Sequence, residues 1–187
     1  MEGKVLVGYA TRYGSTAEVA EAVGARLRER GFDVDIEPVR EALSFDGYDG
    51  IVLGVPFYMG AMLKEGRVWL ESRRAALEAR PSAIFALGPM SADDDLAEAT
   101  AQLDKALAGL PWLRPVAAQM FVGAYDPARL RFADRLLTKL PASPLHGTGA
   151  RDDRDWDAIA VWADGVADAL GRATPDSRLD WPPRRPP

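Results

Sequence analysis

A chain of 187 residues with 48% hydrophobic and 27% charged residues is large and apolar enough to bury a core in one globular domain. Its net charge of -5 at pH 7 argues against nucleic-acid binding, because phosphate contacts need clustered lysine and arginine. The absence of cysteine excludes disulfides and thiol catalysis, and the single histidine, His146, excludes a histidine-rich metal site. We therefore expect no resident metal and no nucleic-acid partner.

Targeting signals are absent from the sequence. It contains neither a secretory signal pattern near Met1 nor a run of about 20 apolar residues that could span a membrane. A chain without cysteine is also compatible with a reducing compartment. We therefore expect a soluble, cytoplasmic protein whose contact with a membrane, where there is one, is peripheral and at the inner face.

Hydrophobic periodicity predicts short strands that alternate with amphipathic helices. The predicted strands are residues 4–9, 33–39, 50–55, 82–87 and 115–122, with Pro56 as the end of the third. The predicted helices run from Thr16 to a stop at Gly31, over 61–79, over 94–107, and over 156–172 with Asp155 as a cap. This alternation predicts an α/β fold with a parallel sheet covered on both faces, and a ligand site beyond the carboxyl ends of the strands. Loops 10–16, 55–62 and 88–95 lie at those ends.

The first of these loops has the composition of a phosphate cradle. Thr11, Ser15 and Thr16 supply hydroxyl donors. Gly14 allows a positive φ angle, and the helix that follows presents unpaired amides to an anion. The alternative is an ordinary helix cap by Ser15 or Thr16, with Glu18 near the third helical position. A cap needs one hydroxyl, whereas this loop has three and an arginine, so the phosphate interpretation is favoured.

Motif spacing narrows the type of phosphate. The sequence has no GxxxxGK[ST] pattern and no GxGxxG pattern, so a nucleoside triphosphate or an NAD-type dinucleotide is less well supported. Phosphorylation-receiver domains share the strand pattern, but they need an acidic cluster after the first strand and an aspartate at the end of the third. Ala10 and Thr11 occupy the first place and residues 54–56 the second, so a receiver domain is excluded.

Residues 11–16, TRYGST, resemble the phosphate loop of the flavodoxin family, a run of serine and threonine with a central glycine directly after the first strand. The resemblance implies FMN as the cofactor and a flavodoxin-like three-layer α/β sandwich, with a five-stranded parallel sheet in the order 2-1-3-4-5. It implies cofactor contacts by Thr11, Arg12, Tyr13, Gly14, Ser15 and Thr16. Tyr13 departs from the family pattern, in which another serine or threonine is common. Arg12 is expected to point to solvent or toward a substrate.

The same resemblance implies that two further loops flank the flavin. The contacts implied in the second loop are Pro56, Phe57, Tyr58, Met59 and Gly60. Flat aromatic and thioether side chains suit one face of the ring, although such a cluster taken alone is as typical of a plain core. The contacts implied in the third loop are Gly88, Pro89, Met90, Ser91 and Asp95. This loop has no aromatic ring, which leaves a flavin face open to a substrate, and its acidic run at 93–95 is also explained as favourable charge in a helix first turn.

The last third of the chain departs from a simple flavodoxin pattern. Residues 123–155 contain no core strand and are expected to form a helical insertion after the fifth strand, in a domain spanning 1–173. The remaining residues, 174–187, are rich in proline and are expected to form a disordered tail. Asp126 as a cap and Pro127 at the first position predict a helix through Leu140. This basic amphipathic helix, 127–140, can pack on its own domain, form a homodimer or lie on an anionic membrane surface, and the sequence leaves these open.

The insertion carries a second resemblance. The stretch GAYDPARLRFADRLLTKL, followed by Asp155 and Trp156, is similar to the insertion and final helix of the menaquinone-dependent protoporphyrinogen oxidases, a branch of the flavodoxin fold in haem synthesis. Residues 141–151 depart from that pattern through their prolines. His146 lies in this stretch and is expected to be a solvated loop residue, with proton transfer as the alternative.

This second resemblance implies an FMN-dependent oxidoreductase that passes electrons from a reduced organic substrate through FMN to a quinone or another acceptor. The flavin carries the redox step, so no catalytic side chain is assigned. Deleting residues 127–146 is then expected to impair the enzyme but to leave FMN binding nearly intact. The alternative function is a flavodoxin-type electron carrier or a flavin-binding regulatory module, which exchanges electrons with a protein partner and has no substrate of its own.

Overall fold

The computed structural model describes residues 3–41, 44–58, 61–62, 64–88, 96–130, 132–138 and 148–172. Several sequence-predicted features lie outside these residues, namely Met59, Gly60, Pro89, Met90, Ser91, Asp95, His146 and the tail at 174–187.

A largely parallel sheet forms the centre of the fold. Its strands are β1 (Lys4–Tyr9), β2 (Asp33–Pro38), β3 (Gly50–Tyr58), β4 (Ala61–Met62), β5 (Ser82–Leu87) and β6 (Ala117–Phe121). In the described part of the chain, five of them run parallel in the order β2-β1-β3-β5-β6, while β4 pairs antiparallel with the end of β3. Numbered by the parallel strands alone, this is the order 2-1-3-4-5, so the predicted fold class is confirmed.

Helices cover both faces of the sheet. They are α1 (Ser15–Glu29), α2 (Lys64–Ser72), α3 (Arg74–Glu78), α4 (Leu96–Ala108), α5 (Phe132–Thr138) and α6 (Trp156–Arg172). The apolar faces of α1 and α6 lie in one core with strand residues such as Val5 and Phe85. Residues of α2, α3 and α4 lie in a second core with Leu6 and Ile84. Neighbouring strand residues point to opposite faces of a sheet, so one core lies on each face. The sheet and the helices on its two faces therefore make three layers.

Apolar spacing in α1 explains why this helix packs where it does. Its four residues Val19, Ala20, Val23 and Leu27 are all 0% exposed and lie on one face. Full burial of each valine or leucine side chain contributes roughly 1.5–3 kcal/mol. On the edge of that face, Arg26 Nε and Nη2 donate to the Asp164 carboxylate of α6 at 2.9 and 2.8 Å. The two helices therefore form one layer.

The start of α6 agrees with the prediction, because the amide of Ala158 donates to Asp155 Oδ1 at 2.9 Å.

The prediction that Pro56 ends the third strand is wrong, because β3 continues to Tyr58. Ala10 N donates to the carbonyl of Gly54 at 2.9 Å, so Gly54 faces β1. Residues two apart in a strand face the same edge, which places the nitrogen of Pro56 on the β1 side as well. The register of β1 with β3 ends at Gly54. An N–H group at position 56 would therefore have no strand to pair with. Proline costs no hydrogen bond here, so β3 continues through Pro56.

The helix predicted over 61–79 is also wrong in part. Ala61 and Met62 form β4, because they turn back and pair with Tyr58 and Phe57 at the end of β3. The rest divides into α2 and α3 at Arg73, whose φ of -109° and ψ of 10° leave helical geometry. The fifth parallel strand is shorter than predicted, 117–121 instead of 115–122, and α4 is found at 96–108. Pairing with a neighbouring strand edge here outweighs local helix propensity.

The insertion has a different internal structure from the predicted helix. Ala124–Tyr125 forms β7, which pairs antiparallel with β8 (Arg151–Asp152), a ribbon that the sequence did not predict. Asp126 caps the next turn as predicted, accepting from Ala128 N at 2.8 Å, but that turn is a short 3-10 helix, Pro127–Arg129. Leu130 is extended, with φ -66° and ψ 142°, and α5 begins at Phe132. The helix predicted over 127–140 is therefore interrupted, because burial of Leu130 at 7% exposure outweighs helix continuation.

Candidate functional site at the carboxyl ends of the strands

A pocket of about 630 Å³, counted to its open mouth, lies at the carboxyl ends of the parallel strands. Its lining residues are Arg12, Tyr13, Ser15, Thr16, Pro56, Phe57, Leu87, Gly88, Gly123, Ala124, Tyr125, Asp126 and Leu130. The three loops named from the sequence therefore meet at one pocket, with the insertion as a further wall.

The loop between β1 and α1 leaves the amino end of α1 without a side-chain cap. Gly14 occupies the cap position in the left-handed region, with φ 97° and ψ -23°, and no side chain accepts a bond from the helix amides there. The Gly14 amide itself donates to Thr11 Oγ1 at 2.9 Å. A Cβ on Gly14 would be strained by this φ and would lie 3.3 Å from Arg129 Nη1. Capping by Ser15 or Thr16 is therefore wrong, and the amino end of α1 is available to an anion.

Ser15 and Thr16 add hydroxyl groups at the same end of the pocket. Both line it, and Thr16 is 2% exposed. Within the described part of the chain, neither hydroxyl forms a hydrogen bond. A hydroxyl at the pocket wall that has no protein acceptor is available to donate to a ligand at this position. The donor set of helix amides and hydroxyls fits a phosphate group.

Glu18, which the capping alternative assigned to the first turn of α1, is instead bound by two arginines of the insertion. Arg129 Nη1 lies 2.5 Å from its Oε1, and Arg154 Nη2 lies 2.7 Å from its Oε2. Burial alone would raise the pKa of the Glu18 carboxyl, but the hydrogen bonds from these two arginines outweigh burial and hold its pKa below the usual range. The capping-box interpretation therefore fails for Glu18 as well.

Arg154 is the most enclosed cation beside the loop, with a side chain only 5% exposed. Its Nε and Nη2 donate to the Asp152 carboxylate at 2.7 and 2.5 Å, and its guanidinium lies 4.5 Å from the Trp156 ring centroid. Its Nη1 also donates to the carbonyl of Ser15 at 3.3 Å. The hydrogen bonds to Asp152 raise the pKa of Arg154 although burial opposes this. Arg154 thus joins the ribbon of the insertion to the first turn of α1.

Arg12 and Tyr13, the two residues that the phosphate-loop resemblance left unexplained, share one partner. Arg12 Nη2 donates to both carboxylate oxygens of Asp134 at 3.0 and 2.9 Å, and the Tyr13 hydroxyl donates to Asp134 Oδ2 at 2.6 Å. Asp134 belongs to α5. The Arg12 guanidinium is therefore held by the insertion, while the residue is exposed and lines the pocket, so its orientation toward solvent or a substrate stays a prediction.

The other end of the pocket is apolar. Pro56 and Phe57 lie near the end of β3 there, Leu87 is the last residue of β5 and Gly88 follows it, and Phe57 is 6% exposed. A Cβ on Gly88 would lie 2.6 Å from Met120 Sδ, so a side chain at this position would require the buried Met120 side chain to shift. The Tyr58 side chain and the remaining sequence-predicted contacts, Met59, Gly60, Pro89, Met90, Ser91 and Asp95, lie outside what the structure describes.

Comparison with known proteins agrees with this geometry. The family described as "Flavodoxin domain" matches residues 6–152. The chain belongs to the flavodoxin family. It is 25% identical over 179 residues to the protoporphyrinogen IX dehydrogenase (quinone) of three Escherichia coli strains, covering 91% of this chain and 98% of that protein. The predicted similarity to that branch is thereby confirmed.

Flavodoxins are among the solved structures that share this fold. An archaeal flavodoxin superimposes with a TM-score of 0.52 at 14% identity, over 89% of this chain and 98% of that one. Oxidised flavodoxin 1 from Bacillus cereus gives a TM-score of 0.53 at 12% identity, over 91% and 99%. At identities this low, the superpositions show the fold of this flavodoxin-family protein and no more. FMN, the cofactor predicted from residues 11–16, is confirmed at the level of the family.

Six lining residues of this flavodoxin-family pocket were missed from the sequence. They are Leu87, Gly123, Ala124, Tyr125, Asp126 and Leu130. A usable signal existed for most of them, because the site lies beyond the carboxyl end of every central strand. The fifth strand was predicted to end at Val122, directly before Gly123. Leu130 had no comparable signal, since it reaches the pocket through an interruption of the predicted helix.

The described residues contain neither a metal-binding cluster nor a membrane-spanning helix. In residues 3–172 with the gaps given above, no group of three or more His, Asp or Glu side chains is arranged to hold a metal ion. Over the same part of the chain, no helix combines the length and the hydropathy needed to cross a bilayer.

Proposed function

We propose that this flavodoxin-family protein is an FMN-dependent oxidoreductase that passes electrons from a reduced organic substrate to a quinone or another acceptor. The observation that carries the proposal is the additional wall that the insertion gives to the pocket. Tyr125 and Leu130 contribute to that wall and are 5% and 7% exposed. A carrier needs only an accessible flavin edge, whereas an added wall gives a small molecule a place to bind. The similarity to a quinone-dependent dehydrogenase over 91% of the chain supports the same proposal.

The phosphate of FMN would be held at the amino end of α1. The proposed contacts are the first-turn amides of α1 and the hydroxyls of Thr11, Ser15 and Thr16, while the Gly14 amide, which donates to Thr11 Oγ1, shapes the loop. The partial positive charge of the helix end stabilises an anion there. Arg12 and Tyr13 line the same end of the pocket and would border the phosphate from the side.

The flavin ring would lie toward the apolar end, bordered by Pro56, Phe57 and Gly88. When bound, FMN accepts two electrons with protons from a reduced substrate and passes them on, so that the substrate loses two hydrogens and a quinone leaves as its quinol. Phe57 and Leu130 would exclude water from the ring. Met59, Gly60, Pro89, Met90, Ser91, Asp95 and the side chain of Tyr58 remain sequence predictions for ring contacts.

The alternative function is a flavodoxin-type electron carrier without a substrate. Superposition of almost the full length of two flavodoxins on this chain favours it. The two functions differ in what the insertion does. In an oxidoreductase, the wall formed by Tyr125 and Leu130 contacts the substrate, whereas in a carrier this wall has no role in electron exchange.

Two exposed apolar residues of α5 indicate what kind of surface this protein contacts. Phe132 and Leu136 are 84% and 59% exposed, and residues four apart lie on the same face of a helix. An exposed apolar pair supports contact with a membrane surface over packing on the chain's own domain. We propose that the protein meets the inner face of a membrane peripherally through this pair. Binding of the protein to anionic vesicles, lost in Phe132→Ser, would support the proposal, and dimerisation through the same pair would replace it.

The experiment that tests the function uses the full chain reconstituted with FMN. Protoporphyrinogen IX is supplied anaerobically with a soluble menaquinone analogue, and porphyrin fluorescence is followed. Quinone-dependent porphyrin formation is expected, with kcat/KM about tenfold lower in Tyr125→Ala than in Tyr125→Phe, which keeps the ring. If no porphyrin forms while a reductase still transfers electrons through the protein to cytochrome c, the carrier function is correct.

A further inference from the structure

The insertion contacts the phosphate loop through a three-residue cluster that neither the flavodoxin resemblance nor the proposed chemistry accounts for. Arg12, Tyr13 and Asp134 form this cluster, here called the loop clamp. Its three hydrogen bonds join the loop before α1 to α5, 121 or 122 residues later in the chain, at 2.6 to 3.0 Å. The clamp is therefore a tertiary contact between the proposed cofactor site and the insertion.

Geometry makes the loop clamp a firm contact. One carboxylate accepts from a guanidinium and from a phenol, and bonds of this kind to an ionised group are short and directional. The side chains of Asp134 and Arg12 are 23% and 34% exposed, so water competes only in part. The Arg12 guanidinium also lies 5.5 Å from the ring centroid of Tyr13. Asp134 therefore fixes the orientation of both loop residues.

A second contact holds the other side of the same loop. Arg129 of the insertion pairs with Glu18 in the first turn of α1 at 2.5 Å, and its Nη1 lies 3.3 Å from where a Cβ on Gly14 would be. The insertion thus touches the phosphate loop before and after Gly14. Between these contacts lie the groups proposed to meet the phosphate. Their positions depend on a loop whose two sides are both held by the insertion.

We propose that Asp134 is a positioning residue for the cofactor phosphate, and that the loop clamp makes FMN affinity depend on the insertion. This inference rests on the proposed FMN site. By holding Arg12 and Tyr13, Asp134 keeps the loop in the conformation that directs the α1 amides and hydroxyls into the pocket. It follows that removing residues 127–146 weakens FMN binding, in contrast to the expectation from the sequence alone.

The test compares Asp134→Asn with Asp104→Asn in the full chain. Asp104 is an exposed aspartate of α4 and serves as the matched control. FMN and riboflavin are titrated separately, and quenching of flavin fluorescence gives Kd for each. Asp134→Asn is expected to raise the Kd for FMN about three- to thirtyfold, as for the loss of charge-assisted bonds at a partly exposed site. The Kd for riboflavin, which lacks the phosphate, should change less than about twofold, and Asp104→Asn should change neither.

Two further measurements separate positioning from other effects. Tyr13→Phe removes one of the three bonds and should raise the FMN Kd less than Asp134→Asn, while the double variant should bind no more weakly than Asp134→Asn alone, because both changes remove one clamp. Equal or tighter FMN binding by Asp134→Asn would overturn the inference, since Asp134 would then merely hold Arg12 away from the phosphate. Wild-type protein that binds no FMN would instead overturn the proposed cofactor site itself.

Discussion

Replacing Arg154 by methionine tests how firmly the insertion is attached to the first turn of α1. Methionine keeps much of the apolar stem against Trp156 and removes the charge. The change eliminates the paired bonds to Asp152 at 2.7 and 2.5 Å and the contact with Glu18 at 2.7 Å. It also removes the guanidinium from the Trp156 ring, 4.5 Å away.

The magnitude follows from the exposure of the partners. Removing one member of a fully buried ion pair costs about 3–5 kcal/mol. Here Glu18 and Asp152 are 39% and 47% exposed, so water can hydrate the carboxylates that remain. Loss of the charge-assisted bonds then costs about 1.5–2 kcal/mol, and loss of the cation–π contact about 0.5–1 kcal/mol. The free energy of unfolding should fall by about 2–3 kcal/mol, which in a domain of this size lowers Tm by about 4–12 °C.

The assay is urea and thermal unfolding followed by circular dichroism, with Arg74→Met as the matched control. Arg74 also pairs with a carboxylate, Glu78, at 3.1 Å and lies 5.5 Å from the Trp112 ring, but its side chain is 52% exposed. Its replacement should cost less than about 1 kcal/mol. If Arg154→Met lowers the unfolding free energy by no more than Arg74→Met does, the attachment through Arg154 is not a significant source of stability.

Two other predictions concern single groups of the site. Thr16→Val should raise the Kd for FMN about tenfold, because it removes a hydroxyl at the pocket wall that is proposed to donate to the phosphate. The unfolding free energy of the apo protein should not fall, whereas the control Thr100→Val should leave FMN binding unchanged; unchanged binding by Thr16→Val would remove this hydroxyl from the site. Because the pKa of Glu18 lies below its unfolded value of 4.5, its contribution to stability is present above about pH 4.5 and is lost as the pH falls through the folded-state pKa. Glu18→Gln should therefore flatten the loss of stability below about pH 4.5 in urea unfolding at a series of pH values, and an unaltered pH profile would contradict the ion pairs with Arg129 and Arg154.

The central layers of the fold were predictable because each depends on local pattern. The apolar spacing of α1 and α6 and the alternation of strands with helices are sufficient to place a parallel sheet between two helical layers. TRYGST predicts a phosphate loop because its hydroxyls and glycine are contiguous in the sequence, and four of its residues line the pocket. The interruption of the helix at Leu130 was not predictable, since it follows from burial against residues distant in the chain.

The contacts of Arg12 and Tyr13 could not be predicted from the sequence. Neither fits the local requirements of a phosphate loop, and their partner Asp134 is more than 120 residues away. Glu18 was misassigned for a related reason, because a glutamate near a helix start is typical of a capping box and nothing in its neighbourhood indicates Arg129 or Arg154. Each of these side chains contacts the insertion, whose path over the loop depends on tertiary packing.

In the proposed site, the amino end of α1, with Ser15 and Thr16, holds the phosphate of FMN. Titration of the apo protein with FMN and with riboflavin, followed by fluorescence quenching, tests it most directly because the two ligands differ only in the phosphate. If the phosphate accepts two or more hydrogen bonds from the protein, FMN should bind at least about 100-fold more tightly than riboflavin. Equal affinities for the two flavins, or no binding of either, would contradict the claim.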